Sequence, residues 1–171
     1  PSHWTAVLPT LRRPGETFRL SIKGDDSWGN PSNRLTGKIK LKTNLPVTGL
    51  AETSDLKAGD FGAVIEGLSV ESPGVLHLSV LDEDDQLIAT ANPLMIRQAD
   101  AAHFWSDMHA QSGETIGVGT AREYFDFARN KAFLDIAGHQ GNDFQITDAF
   151  WQHLNELTAE YNEDNRFLTL P

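Results

Sequence analysis

At 171 residues the chain can hold one medium domain or two small ones, and its 39% apolar and 22% charged residues suit a buried core rather than disorder. Its net charge of −10, from 14 basic and 24 acidic residues, repels phosphate backbones and argues against a nucleic-acid partner. The absence of cysteine excludes disulfides, thiolate zinc sites and a cysteine nucleophile, so any metal must sit on His, Asp, Glu or amides.

Residues 17–96 read as all-β. In residues 17–23, Phe18, Leu20 and Ile22 share one face while Arg19, Ser21 and Lys23 share the other. Residues 38–42 repeat the pattern with Ile39 and Leu41. Residues 75–81 place Leu76, Leu78 and Val80 inward. Further strands are expected over 61–66, 87–91 and 94–97, a number that suits a sandwich. Between them stand turn signals: Pro14-Gly15, the run from Trp28 to Pro31, the run from Ser72 to Gly74, and the acidic run from Asp82 to Asp85. That acidic run lacks calcium-loop spacing and is expected to be a hairpin turn. Trp28 is read as closing one end of the sandwich core, with a ligand-stacking ring as the alternative.

After residue 98 helical periods appear. Thr120 and Glu123 fit a capping box, and a helix to about Lys131 buries Ala121, Tyr124, Phe125 and Ala128. A second helix starts after Thr147 and lines up Phe150, Leu154, Leu157 and Tyr161. Short apolar runs over 103–109, 133–137 and 166–170 complete a βαβαβ order, which favours parallel strands joined by right-handed crossovers. The expected domains are therefore an Ig-like β-sandwich over 1–98 and an α/β segment over 99–171.

Chemistry in parallel sheets gathers in the loops that leave the carboxyl ends of the strands. The first such loop and the strand end before it read Asp107-Met-His-Ala-Gln-Ser-Gly-Glu114, and the second reads Asp135-Ile-Ala-Gly-His-Gln-Gly-Asn-Asp143. Each offers a histidine at the same structural place, His109 and His139, with carboxylates at Glu114 and Asp143; imidazole and carboxylate suit zinc, manganese or iron. His103, at the other end of its strand, is read as structural, and His77 and His153 as members of solvated faces.

The two loop runs, together with the stretch from Gly141 to Trp151, resemble an uncharacterised bacterial family related to the polymerase and histidinol phosphatase (PHP) superfamily. The runs from Pro14 to Phe18 and from Asp26 to Asn30 are similar to the sandwich preceding the barrel in such proteins. The resemblance implies a divalent-metal hydrolase acting on an ester or phosphoester, with the present α/β part an incomplete PHP-like (β/α) barrel segment. It matches His109 and His139 to metal-binding histidines of that family; the residues expected around one or more metals are His109, Gln111, Glu114, His139 and Asp143, with Glu114 or Asp143 either a ligand or a base. Gln111 stands where a second histidine is usual in that family, and Ala137-Gly138 where Thr-Asp is usual.

Two functions are thus expected: a metal-activated hydrolase or, alternatively, a non-catalytic binding module on a degenerate scaffold. No apolar run reaches the roughly 18 residues of a membrane helix, so no membrane partner is expected. The compartment stays open between cytoplasmic and exported. A start at Pro1 is what a piece of a longer chain would show, and three strands of an unfinished barrel would leave edges open to self-association.

Overall fold

Period-two alternation builds the first hundred residues into short strands whose apolar sides meet in one core. The computed structural model describes all 171 residues, Pro1–Pro171, and divides them into two compact units, Pro1–His103 and Phe104–Pro171. In chain order the strands of the first unit are β1 (His3–Val7), β2 (Leu11–Arg12), β3 (Phe18–Asp25), β4 (Gly37–Thr43), β5 (Thr53–Leu56), β6 (Gly62–Leu68), β7 (Gly74–Leu76), β8 (Leu78–Leu81), β9 (Leu87–Thr90) and β10 (Leu94–Ile96).

They form three sheets, ordered β1-β3-β6, β2-β10-β7 and β5-β4-β8-β9. All pairs are antiparallel except β10 with β2. Phe18, Leu20 and Ile22 of β3 pack with Ile39 and Leu41 of β4, Leu78 and Val80 of β8 and Leu94 of β10 in a single buried cluster. Each strand contributes alternate residues, as expected where one sheet face meets the core.

Residues 75–81, expected to be one strand, belong to two sheets. The chain changes sheet at His77, an exposed residue whose amide donates to Asn44 Oδ1 (2.7 Å), while Asn44 Nδ2 donates to the Val75 carbonyl (2.9 Å). One asparagine side chain thus serves the backbone groups that the break frees. The acidic run forms the β8–β9 turn. There Asp82 Oδ1 accepts the amides of Asp84 (3.0 Å) and Gln86 (2.8 Å), and Lys40 Nζ lies 2.9 Å from Asp85 Oδ1.

The second unit holds β11 (Ser106–Ala110), α1 (Ala121–Asn130), β12 (Ile136–His139), a short 3-10 turn (Asp143–Gln145), α2 (Asp148–Tyr161) and β13 (Leu168–Leu170). Its three strands run parallel in the order β11-β12-β13. Thr120 caps α1 through a complete capping box with Glu123, and the Thr147 hydroxyl accepts the Phe150 amide at the start of α2. Ala121, Phe125 and Ala128 of α1, Leu154 and Leu157 of α2, Ala137 of β12 and Phe167 form the unit's core. Thr169 is also buried and donates its hydroxyl to the Thr158 carbonyl (2.7 Å).

This arrangement corrects the expected fold class. The molecule is mostly β, with thirteen short strands in four separate small sheets and two helices, and no segment of a hydrolase barrel stands in it. The second unit's sheet holds three short strands of five, four and three residues. Alternating helix and strand signals are common to any small sheet layered on helices, so periodicity alone does not distinguish such a sheet from the opening of a barrel.

Candidate functional site

The two loops singled out in the sequence leave the carboxyl ends of β11 and β12. Residues 111–119 close on themselves: the Ser112 carbonyl accepts the amides of Thr115 (3.0 Å) and Gly117 (2.8 Å), and the Gly113 amide donates to the Gly119 carbonyl (2.5 Å). A β-carbon at Gly117 would run into the Gln111 carbonyl, so this closed path requires glycine there. The second loop is tied to the first by the Gln140 amide, which donates to the Ala110 carbonyl (2.7 Å).

Between the loops lies a buried polar pair. Ser112 and His139 are 0% and 2% exposed, and Ser112 Oγ is 2.8 Å from His139 Nε2. Burial by itself would raise the Glu114 carboxyl, but hydrogen bonds from the Ser112 hydroxyl and from the backbone amides of Glu114 and Ala121, with the nearby His139, hold it below its ordinary value. An ionised carboxylate only accepts, so the Ser112 proton points to Glu114 and Ser112 Oγ accepts from His139 Nε2–H. The chain of donors therefore runs His139, Ser112, Glu114. It leaves His139 Nδ1 as a buried lone pair with no hydrogen-bond partner. The rings of Tyr124 and Phe150 present edge contacts to the imidazole, at centroid distances of 6.3 and 5.6 Å. Burial pushes the His139 pKa down, with Glu114 opposing, and the imidazole is neutral.

The five expected metal ligands do not converge. His109 is exposed: the β11–β12 register shifts between Asp107 and Ala110, which breaks the alternation that would have turned it toward the helices. Asp143 and Glu114 are exposed on different loops, Gln111 is half-buried with an unpartnered Oε1, and His139 has Nε2 engaged by Ser112. No group of three or more His, Cys, Asp or Glu side chains is placed to hold a metal ion. The residues present do not fit a divalent metal centre, and the expected metal-binding hydrolase character is corrected accordingly. Ser112 escaped notice in the sequence because its partner lies 27 residues away. His103, read as structural, has its Nδ1 2.9 Å from Thr10 Oγ1, and its carbonyl accepts from Arg12 Nη1 (2.8 Å).

A second feature lies in the β3–β4 connection of the first unit. Asp26 Oδ1 accepts the amides of Trp28 (2.8 Å) and Asn30 (2.9 Å), Asp26 Oδ2 accepts Asn30 Nδ2 (3.1 Å), and the Asp26 amide donates to the Asn30 carbonyl (2.9 Å). These bonds, led by the Asn30 amide, hold the Asp26 pKa below the ordinary carboxylate value. Gly29 takes φ of +85° in the turn. The result is a closed loop that carries Trp28 at its tip, 86% exposed. The expectation that Trp28 closes the core is thus corrected. Trp4 packs against the core cluster and Leu35 lies within it, while the loop's hydrogen bonds turn Trp28 outward.

No protein-family model matches the chain. Two chlamydial proteins, each named only as an uncharacterized protein, align with it: one from Chlamydia trachomatis serovar D, 17% identical over 178 residues, and one from Chlamydia pneumoniae, 20% identical over 167 residues. Each alignment takes in 95% of this chain and 27% of the relative, so the chain spans about a quarter of the curated relatives it matches. Among solved structures, the D0-D1 domain of Intimin is similar over 64% of this chain and 57% of its own length, with 11% identity and a TM-score of 0.41. The PKD domain of an M14-like peptidase from a Thermoplasmatales archaeon is similar over 56% of this chain and 94% of its own length, with 12% identity and a TM-score of 0.33. Likenesses at these scores carry no argument. The resemblance to the PHP superfamily is overturned by the fold and by the scattered histidines.

Proposed function

We propose that the chain is a non-catalytic binding module whose first unit recognises a partner surface through Trp28. The observation that carries this reading is a tryptophan 86% exposed on a loop fixed by its own hydrogen bonds. A large apolar ring in water gains by being covered, and a fixed loop loses little conformational freedom when that happens. Tryptophan is enriched among residues that dominate binding energy for this reason. The hydrolase alternative needs histidines that converge with carboxylates, and His109 is exposed while His139 is buried with its Nε2 hydrogen-bonded to Ser112.

The test is an array of neutral and acidic glycans and immobilised peptides, probed with the chain and with Trp28→Ala side by side. Hits that the variant loses support the reading. Hits that the variant keeps would overturn it, as would turnover of phosphoesters or carboxylic esters with added zinc or manganese that His139→Ala abolishes.

A further inference from the structure

The end of the second unit where both loops meet shows apolar side chains to solvent with no structural use. Ile116 and Val118 of the first loop are 67% and 98% exposed, and Phe144 of the second is 81% exposed. Neither loop is loose. The first is closed by the Ser112 and Gly113 hydrogen bonds, and Phe144 sits in the 3-10 turn with its amide on Asp143 Oδ1 (2.8 Å). The loops also touch: a β-carbon at Gly141 of the second loop would come within 2.9 Å of Thr115 Cγ2 of the first, so the second loop's backbone passes close to a side chain of the first. Exposed apolar side chains held out by well-bonded backbone on two touching loops mark an interaction surface rather than an unfinished core.

Charge selects the occupant. Residues 111–121 and 132–165 contain no Lys or Arg. Glu114, Asp143 and Asp148 are exposed on the two loops and at the start of α2. The nearest basic side chain on α1, Arg122, is held by Glu160 through two hydrogen bonds of 2.5 and 2.7 Å. The field at this end is therefore negative around an apolar centre. It repels anionic membranes and a second copy of this acidic chain, and it attracts a segment that carries apolar and cationic side chains together.

We infer that this end of the second unit, centred on Ile116, Val118 and Phe144, docks a basic, apolar segment of a partner protein. Lysines or arginines of that segment face Glu114, Asp143 and Asp148 while its apolar side chains cover the cluster. This surface lies on a different unit from Trp28, so either reading can fail while the other stands.

The probe is a fluorescently labelled amphipathic Lys/Leu peptide, titrated against the whole chain by anisotropy beside vesicles of zwitterionic and of anionic lipid. The peptide is expected to bind, more weakly as salt rises, and the double variant Val118→Ser, Phe144→Ser is expected to lose at least about tenfold in affinity. Asp143→Asn with Asp148→Asn should lose several-fold, whereas Asp84→Asn with Leu87→Ser, exposed residues of the first unit, should leave affinity unchanged. All the altered side chains are exposed, and the melting profile of each variant confirms that it folds. Peptide affinity indifferent to the Val118/Phe144 pair, tighter binding to vesicles, or a dimer that this pair dissolves would each overturn the proposal.

Discussion

The two units handle apolar surface in opposite ways. The first gathers eighteen buried apolar residues into one cluster and leaves three large apolar side chains strongly exposed, Trp28, Leu87 and Met95. The second, with about two thirds as many residues, gathers seven and exposes ten. Burial scales with the size of a compact unit, so a small three-stranded sheet with two helices has few places to hide a ring. The lesson is that the first unit concentrates its exposed aromatic surface in one tryptophan, whereas the second spreads apolar surface around loops and strands. A lone exposed ring reads as an anchor and a spread reads as a docking surface.

The largest expected effects come from breaking each core in turn. Phe125→Ala removes a fully buried ring from the smaller core and should cost about 3–5 kcal/mol. That is enough to unfold the second unit in chemical denaturation while the first keeps its own transition. Leu20→Ala should cost about 2–5 kcal/mol in the first unit and leave the second unit's midpoint in place. A single cooperative transition shifted equally by both variants would erase the comparison.

Acid sharpens it. The His139 pKa is depressed in the fold, so the unfolded chain takes up the proton first; the stability this group contributes is complete above its ordinary value of 6.5 and is lost as pH falls through the folded value. Glu114 is also depressed, and its contribution, complete above its ordinary value of 4.5, is lost at lower pH still. Melting followed through signals of the second unit should therefore weaken in two stages as pH is lowered, and His139→Gln should remove the first stage. Melting that is flat from pH 7.5 to 5 would contradict the buried neutral imidazole.

Smaller effects follow at the helix starts. Thr120→Ala removes the hydroxyl of the capping box and should cost about 1 kcal/mol in the second unit's denaturation midpoint. Glu160→Gln breaks the exposed pair with Arg122 and should leave that midpoint unmoved, because solvent and salt screen such pairs.

How much of this was legible in the sequence depended on how local the signal was. The alternation around Leu20, Ile39 and Val80, and the capping box at Thr120, are patterns within a few residues, and the structure has strands and a helix there. The change of sheet at His77 depends on Asn44, thirty-three residues away, and no periodicity announces it. β1 and β5 were passed over because His3–Val7 carries weak alternation and Thr53–Leu56 is largely polar. His109 and His139 stand after successive strands and so looked like converging ligands; a one-position register shift in β11 turned the first outward, and Ser112 took the second. Trp28 was misjudged because a ring beside glycine can face either way, and the hydrogen bonds of Asp26 decide which.

The most direct test of the binding-module account follows the indole N–H of Trp28 and the ring signals of His139 by NMR while a ligand recovered from the array is added. The account predicts a saturable shift of the Trp28 indole, still ring signals at His139, and an affinity roughly 30-fold weaker in Trp28→Ala. Shifts confined to His139, with an unmoved Trp28 indole, would contradict it.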